Sequence, residues 1–323
     1  MAAGRRRLAI VGLGLIGGSL GLALKAADPD LEIVGHNRSP EAAGRARKIG
    51  AVDRAEWNLP RALEGAGIVV LAVAPAAMEK VMTEVAPSLE QGAVVTDVAS
   101  TKVDVLAWAE RILPEHTHFV GGHPMAGKEV AGIDAAEAGL FRGAIWCIVP
   151  GRRCRPEAVT AVEGIVRAVG ARPYYLDAEE HDSYAAAISH LPFVASAALV
   201  NAVTIGPSWR DMARLAAGGF RDATRTASGD VRMHLDICRT NRDGIVRWLD
   251  AYLDELRRAR ELIASGADDE QLERFFAAAK NVRDEWLASR DRPPTAELAP
   301  PLPTAREGFG DLFFGRRRPR ERR

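Results

Sequence analysis

A chain of 323 residues is long for one hydrophobic core and comfortable for two. Its 43 Lys and Arg balance 43 Asp and Glu, so no overall charge draws it to nucleic acid or to a membrane surface. The three cysteines, Cys147, Cys154 and Cys238, are odd in number and lack metal-ligand spacing; they indicate neither a disulfide framework nor a zinc site and fit a reducing, cytoplasmic home.

From Arg5 to Leu20 an apolar strand, a G-x-G-x-x-G turn and an apolar helix follow in immediate succession. That order suits a dinucleotide pyrophosphate. Gly12 permits the tight turn, Gly14 lets the backbone approach the diphosphate, and Gly17 lets helix and strand pack closely. The phosphates then sit on the helix N-terminus, where free N–H groups favour negative charge. The tri-arginine and the uncharged stretch to Leu24 also imitate a secretory signal. Five glycines within that stretch, and a second strand from Leu31 to Gly35 at βαβ distance, count against it.

Apolar runs predict strands at Leu8 to Val11, Ile33 to His36, Ile68 to Val73, Val94 to Val98, Phe119 to Gly121, Ala144 to Val149 and Arg172 to Leu176. Helices are expected between most of them: Pro40 to Ile49 with Ser39 as N-cap, Thr101 to Leu113 ending at Pro114, and Pro156 to Val169. Such alternation implies an α/β, doubly wound and mostly parallel sheet over residues 1–176. From Asp177 the period stays helical, through Glu179 to Val203, Trp209 to Ala217, Val231 to Ala264 and Asp268 to Ala288. An all-α domain over 177–290 without its own sheet must bury its apolar faces elsewhere, and a homodimer is the natural solution. Residues 291–323, rich in proline and arginine, read as a disordered tail.

A glycine turn alone says only that a dinucleotide binds. Further segments bear on its use: Asp97-Val98-Ala99-Ser100-Thr101-Lys102 and Gly121-Gly122-His123-Pro124-Met125-Ala126-Gly127-Lys128-Glu129, each directly after a strand, then His181 to Pro192 and Gly218 to Arg225. In this order they resemble the prephenate and arogenate dehydrogenases of tyrosine biosynthesis, over roughly residues 8 to 290. The resemblance implies a Rossmann domain, an all-helical dimerisation domain and a substrate site between them. It implies that His123 is the catalytic histidine, taking the proton of the ring C4 hydroxyl as hydride leaves, and that Ser100 positions nicotinamide and histidine. Arg225 matches the substrate-carboxylate arginine, while His190 and Glu129 match remaining polar residues of the pocket. Asp222 is expected to orient Arg225, and Lys102 to be structural or near the cofactor. Imidazole suits the base because it titrates nearest the operating pH, which predicts that turnover rises through an ionisation in the ordinary imidazole range.

Standing alone, His123 would read as a surface loop residue, Arg225 as an ion-pair partner and His190 as a core histidine; their joint occurrence in family order favours the site. Two departures stand out. Asp230 is followed by Val231 instead of the usual proline, and His234 occupies the usual Trp position, which bears on pocket shape. At the end of the second strand, where NAD-dependent domains place Asp or Glu, stand Asn37, Arg38 and Ser39. Asn37 removes a carboxylate that would repel a 2′-phosphate, so NADP is favoured and NAD is possible. Expected cofactor contacts are Gly12, Gly14, Leu15, Ile16, Gly17, Asn37, Arg38, Ser39 and Ala74. Other two-domain oxidoreductases, of the β-hydroxyacid dehydrogenase or imine and pyrroline-carboxylate reductase types, would not require G-G-H-P-M-A-G together with S-H-L-P. A non-catalytic NADP-binding regulator would not require His123, Ser100 and Arg225.

Overall fold

A computed structural model describes residues 6–128, 130–266 and 268–290. Glu129 and the expected tail, 291–323, lie outside the described residues. The first half runs β1 (Arg7–Val11), α1 (Leu15–Ala27), β2 (Glu32–His36), α2 (Pro40–Lys48), β3 (Arg54–Ala55), α3 (Leu59–Leu63), β4 (Ile68–Leu71), α4 (Pro75–Val85), β5 (Val94–Asp97), α5 (Val103–Ile112), β6 (His118–Pro124), β7 (Ile145–Pro150), α6 (Pro156–Ala168) and β8 (Arg172–Tyr175). The strands form one sheet in the order β3-β2-β1-β4-β5-β6-β7-β8. Every neighbouring pair is parallel except β6 with β7. The strand order reverses direction at β1 and β4, the switch point at which such sheets bind ligands beyond their carboxyl ends.

Alternation along the strands builds a layer on each face. Leu8 and Ile10 of β1 join Leu20 and Leu24 of α1 and Val162 and Ile165 of α6 in one core cluster. Ala9 and Val11 join Met78 and Met82 of α4 and Val105 and Ala109 of α5 in the other. Each fully buried Leu or Ile contributes about 2 kcal/mol, so the sheet is stabilised from both sides. Ser39 caps α2, its Oγ accepting the Ala42 N–H at 3.1 Å, as the sequence predicts. β3 was not expected, because two residues carry no periodicity.

The second half continues with α7 (Ala178–Ala185), one π-helical turn (Ala186–His190), α8 (Leu191–Thr204), α9 (Trp209–Leu215), α10 (Gly218–Thr224), a 3-10 turn (Arg225–Ser228), α11 (Val231–Thr240), α12 (Arg242–Ala264) and α13 (Asp269–Arg290). The single helix expected over Val231 to Ala264 is broken at Asn241, whose side chain is drawn inward to Asp182 and His190. α10 begins on a glycine pair that weakens any helical signal. Asp230 makes up for the missing proline, capping α11 by accepting the Met233 N–H at 2.8 Å.

By compactness the described chain divides into residues 6–245 and 246–290. Within the second part Arg258 lies over the Phe275 ring, while Leu253, Leu256, Ile263, Phe276, Val282 and Trp286 are exposed. In the first part the run Ala178–Thr204, 27 residues, is long and apolar enough to cross a membrane by length and composition. Its buried face carries His181, Asp182 and His190, and Ile188 and Leu199 stand exposed.

Candidate active site

The glycine turn has the three properties a dinucleotide needs. Gly12 holds φ +104°, and a Cβ there would lie 2.2 Å from the Ala72 carbonyl oxygen. A Cβ on Gly17 would lie 2.0 Å from the Gly12 oxygen, so helix and strand touch backbone to backbone. Gly14, the N-cap of α1, faces open space instead. That space lies at the helix N-terminus, where Leu15 and Ile16 begin α1, and it fits a diphosphate. Ala74, the N-cap of α4, marks the neighbouring sheet edge.

At the end of β2 the Asn37 Oδ1 accepts the Ser39 N–H at 2.9 Å. Ser39 Oγ donates to Glu41 at 2.7 Å as well as capping α2, so the hydroxyl expected to meet a phosphate is already engaged. That hydrogen bond holds the Glu41 carboxyl below its usual range. Arg38 is exposed.

His123 lies at the carboxyl end of β6, beyond the part paired with β5, and β7 pins it there through the pairing His123 with Cys147. The preceding residue must be glycine, because a Cβ on Gly122 would stand 2.5 Å from the Asp97 carbonyl oxygen. The His123 ring is buried, its Nδ1 2.9 Å from His181 Nε2 in an edge-on arrangement. His181 Nδ1 in turn lies 2.8 Å from Asp182 Oδ1. Asp182 caps α5 from outside that helix, accepting the N–H of Lys102 at 2.7 Å and of Val103 at 2.9 Å. This capping explains why α5 starts at Val103 and not at Thr101.

Lys102 is fully buried, and its ammonium is paired with Asp97. Asp97 also accepts the N–H of Gly122 at 3.0 Å and of Ala99 at 2.8 Å, tying the histidine strand to the loop that carries Ser100. Ser100 is half-buried. Burial foremost, then the charges of His181, Lys102 and His190, hold the His123 imidazole well below its usual range. This corrects the expectation of an ordinary imidazole ionisation: His123 is neutral at neutral pH, and its protonation limb lies on the acid side.

His190 ends the π turn fully buried, with Nδ1 3.2 Å from Asn241 Nδ2. The same amide donates to the Asp182 carbonyl at 2.7 Å. His190 Nε2 is buried with no protein partner, and burial lowers the ring's pKa to about 4. Arg225 is exposed on its 3-10 turn, which Ser196 of α8 holds through the Ala223 carbonyl and Thr226 Oγ1, both at 2.7 Å. Asp222 is paired with Arg221 at 3.0 Å. His234 stacks flat on Phe193, centroids 4.1 Å apart. α11 lies at the same sheet edge, with Asp236 accepting the Ala76 N–H at 3.3 Å and Thr240 meeting Thr101 at 2.9 Å. His123, Lys102 and His190 are thus joined through Asp97, His181, Asp182 and Asn241, to which the sequence reading gave no role. The adjacent His-Asp pair at the start of an apolar helix is the signal that could have revealed them.

Comparison with known proteins bears on this arrangement. The nucleotide-binding domain of prephenate dehydrogenase matches residues 20–175, and its dimerization domain matches residues 177–278. The chain belongs to the prephenate dehydrogenase family. A prephenate dehydrogenase of Bacillus subtilis is 36% identical over 277 residues, covering 85% of this chain and 74% of that protein. Among solved structures, Synechocystis arogenate dehydrogenase superposes with a TM-score of 0.75 at 30% identity, covering 87% of this chain and 99% of that one. Prephenate dehydrogenase from A. aeolicus, in complex with hydroxyphenyl propionate and NAD+, superposes with a TM-score of 0.80 at 26% identity, covering 90% and 100%. The nucleotide-binding sheet, the helical second half and the family expected from the motifs all hold.

Proposed function

We propose that this chain oxidises the ring C4 hydroxyl of prephenate, or of its amino counterpart arogenate, in tyrosine biosynthesis. The observation that carries this reading is His123, neutral and held at one ring nitrogen, at the carboxyl end of β6. His123 takes the hydroxyl proton as the C4 hydride leaves, and a bound nicotinamide supplies the acceptor for that hydride. Loss of the C1 carboxylate as carbon dioxide sends its electron pair through the ring to the C4 oxygen, which His123 reprotonates. The ring becomes aromatic, so this second step needs little further help. Ser100 positions the reacting groups, and Arg225 binds a substrate carboxylate with a planar guanidinium fork. His190, with an orphaned ring nitrogen, is the donor that lacks a partner until substrate arrives. Glu129 and Asp222 complete the polar lining.

The proposed cofactor preference is NADP. Asn37 places no carboxylate against a 2′-phosphate, and with Ser39 engaged, Arg38 carries the recognition. The proposed domains are 1–176, 177–290 and the tail, in a cytoplasmic homodimer. The exposed apolar residues of Ala178–Thr204, α12 and α13 support a protein partner for the helices and not a bilayer.

The direct test compares prephenate and arogenate, each with NAD and NADP, by the absorbance of the reduced nicotinamide. No turnover in any of the four combinations sinks the reading. His123→Asn should lower kcat by roughly 10² to 10⁴-fold with KM little changed, because the base acts in the transition state. Arg225→Ala should chiefly raise KM. Arg38→Ala should weaken NADP by roughly tenfold to a hundredfold and leave NAD nearly unchanged, the value of a charge-assisted phosphate contact. If neither affinity moves, the phosphate site is elsewhere.

A further inference from the structure

A neutral imidazole carries one N–H, and the partner of one ring nitrogen decides whether the other can accept a proton. Around His123 the donors and acceptors leave one consistent assignment. Asp182 already accepts two backbone N–H groups, one on each oxygen, and as a carboxylate it can only accept again. The hydrogen in its 2.8 Å contact with His181 therefore sits on His181 Nδ1. That leaves a lone pair on His181 Nε2, so the hydrogen in the 2.9 Å contact between the two rings sits on His123 Nδ1. The lone pair of His123 is then on Nε2, a nitrogen with no protein partner. The reverse polarity would require a cationic His181 in a buried cluster that already holds the Lys102 ammonium.

We propose that His181, oriented by Asp182, is a positioning residue that fixes His123 in the Nδ1–H tautomer and so keeps Nε2 as the proton acceptor. The fixation is reinforced by a closed circuit. From His123 it runs through His181 and Asp182 to the Lys102 backbone, along that side chain to Asp97, and back to the N–H of Gly122, the residue bonded to His123. Three sequence segments far apart in the chain, at 97–103, 122–123 and 181–182, share it, so a shift of one displaces the others. The role of His181 in turnover rests on the reading of His123 as the base; the tautomer itself does not.

The test uses the full-length protein with its histidine rings labelled by nitrogen-15. The chain holds seven histidines, and the His123 signals are assigned by their absence in His123→Asn. The wild type should show the His123 proton on Nδ1 and none on Nε2. His181→Phe keeps a ring of similar shape without nitrogens. It should release His123 into a mixture of tautomers and lower kcat by roughly 10²-fold, part of what a general base contributes. KM and cofactor affinity should stay within about threefold, which a merely structural loss would not respect. His181→Gln, with an acceptor and a donor on one side chain, should recover roughly tenfold of that turnover. A wild-type proton on Nε2, or undiminished kcat in His181→Phe, overturns the assignment. Should the Phe variant fail to fold, the wild-type spectrum alone decides. A wild type without turnover on either substrate, but with the expected tautomer, removes the proposed function and leaves the positioning of His123 standing.

Discussion

In the sheet, Leu8 and Ile10 face one helical layer while Ala9 and Val11 face the other, so β1 is dry on both sides. Along α12 and α13, Leu253, Leu256, Phe276 and Val282 remain exposed, and Ile245 is the buried residue of α12. The sheet region completes its own core. The helical hairpin cannot, since two helices present more apolar surface than they cover between them, and an exposed face of that kind marks an interface. The difference teaches where substitutions act: near the sheet edge they act through buried charge, and in the hairpin through association.

The largest effect on the folded chain is expected at Lys102. Lys102→Met keeps the length of the side chain but leaves the Asp97 carboxylate buried without its counter-charge. Breaking one half of a buried pair costs about 3 to 5 kcal/mol, readable as a lower urea midpoint. A loss below about 1 kcal/mol would put the pair among the weak surface bridges and blunt the contrast.

A somewhat smaller effect follows from His190. Its pKa falls from 6.5 when exposed to about 4 in the fold, so as pH drops the unfolded chain takes up the proton first. The stability this group provides is fully present above 6.5 and is lost progressively toward 4, a span worth about 3 kcal/mol. His190→Gln should flatten that part of the unfolding profile, and an unchanged acid slope would assign it to other groups, His123 foremost.

The smallest effect on a single chain is expected in the hairpin. Val282→Glu lies on an exposed face, so it should change the stability of an isolated chain by less than about 0.5 kcal/mol. Its consequence should appear in sedimentation instead, as a fall from dimer to monomer. A wild type that sediments as a monomer would falsify the dimer outright.

Much of this was legible in the sequence because it rests on local rules. The roles of Gly12, Gly14 and Gly17, the Ser39 cap and the placement of His123 after a strand each follow from a few neighbouring residues. What was not legible depends on residues distant in the chain. α5 begins at Val103 because Asp182, some eighty positions away, supplies its cap. The break at Asn241 has no glycine or proline to announce it, since the amide leaves the helix pattern to reach Asp182 and His190. Likewise the adjacency of His181 and Asp182 was in plain view, but its meaning required His123 on the other side of the contact.

The π turn at Ala186–His190 also constrains how this chain can change in length. An α-helix advances about 100° per residue, so excising a single residue from the turn would restore regular winding and swing all of α8 about its axis by roughly that angle. His181 and Asp182 would stay on the sheet edge, while Phe193 and Ser196 would turn away from His234 and from the loop that carries Arg225. Substitutions along α8 are absorbed one side chain at a time. A one-residue deletion is read by every side chain downstream of it, so the spacing between His181 and His190 is fixed more rigidly than the identity of most residues between them.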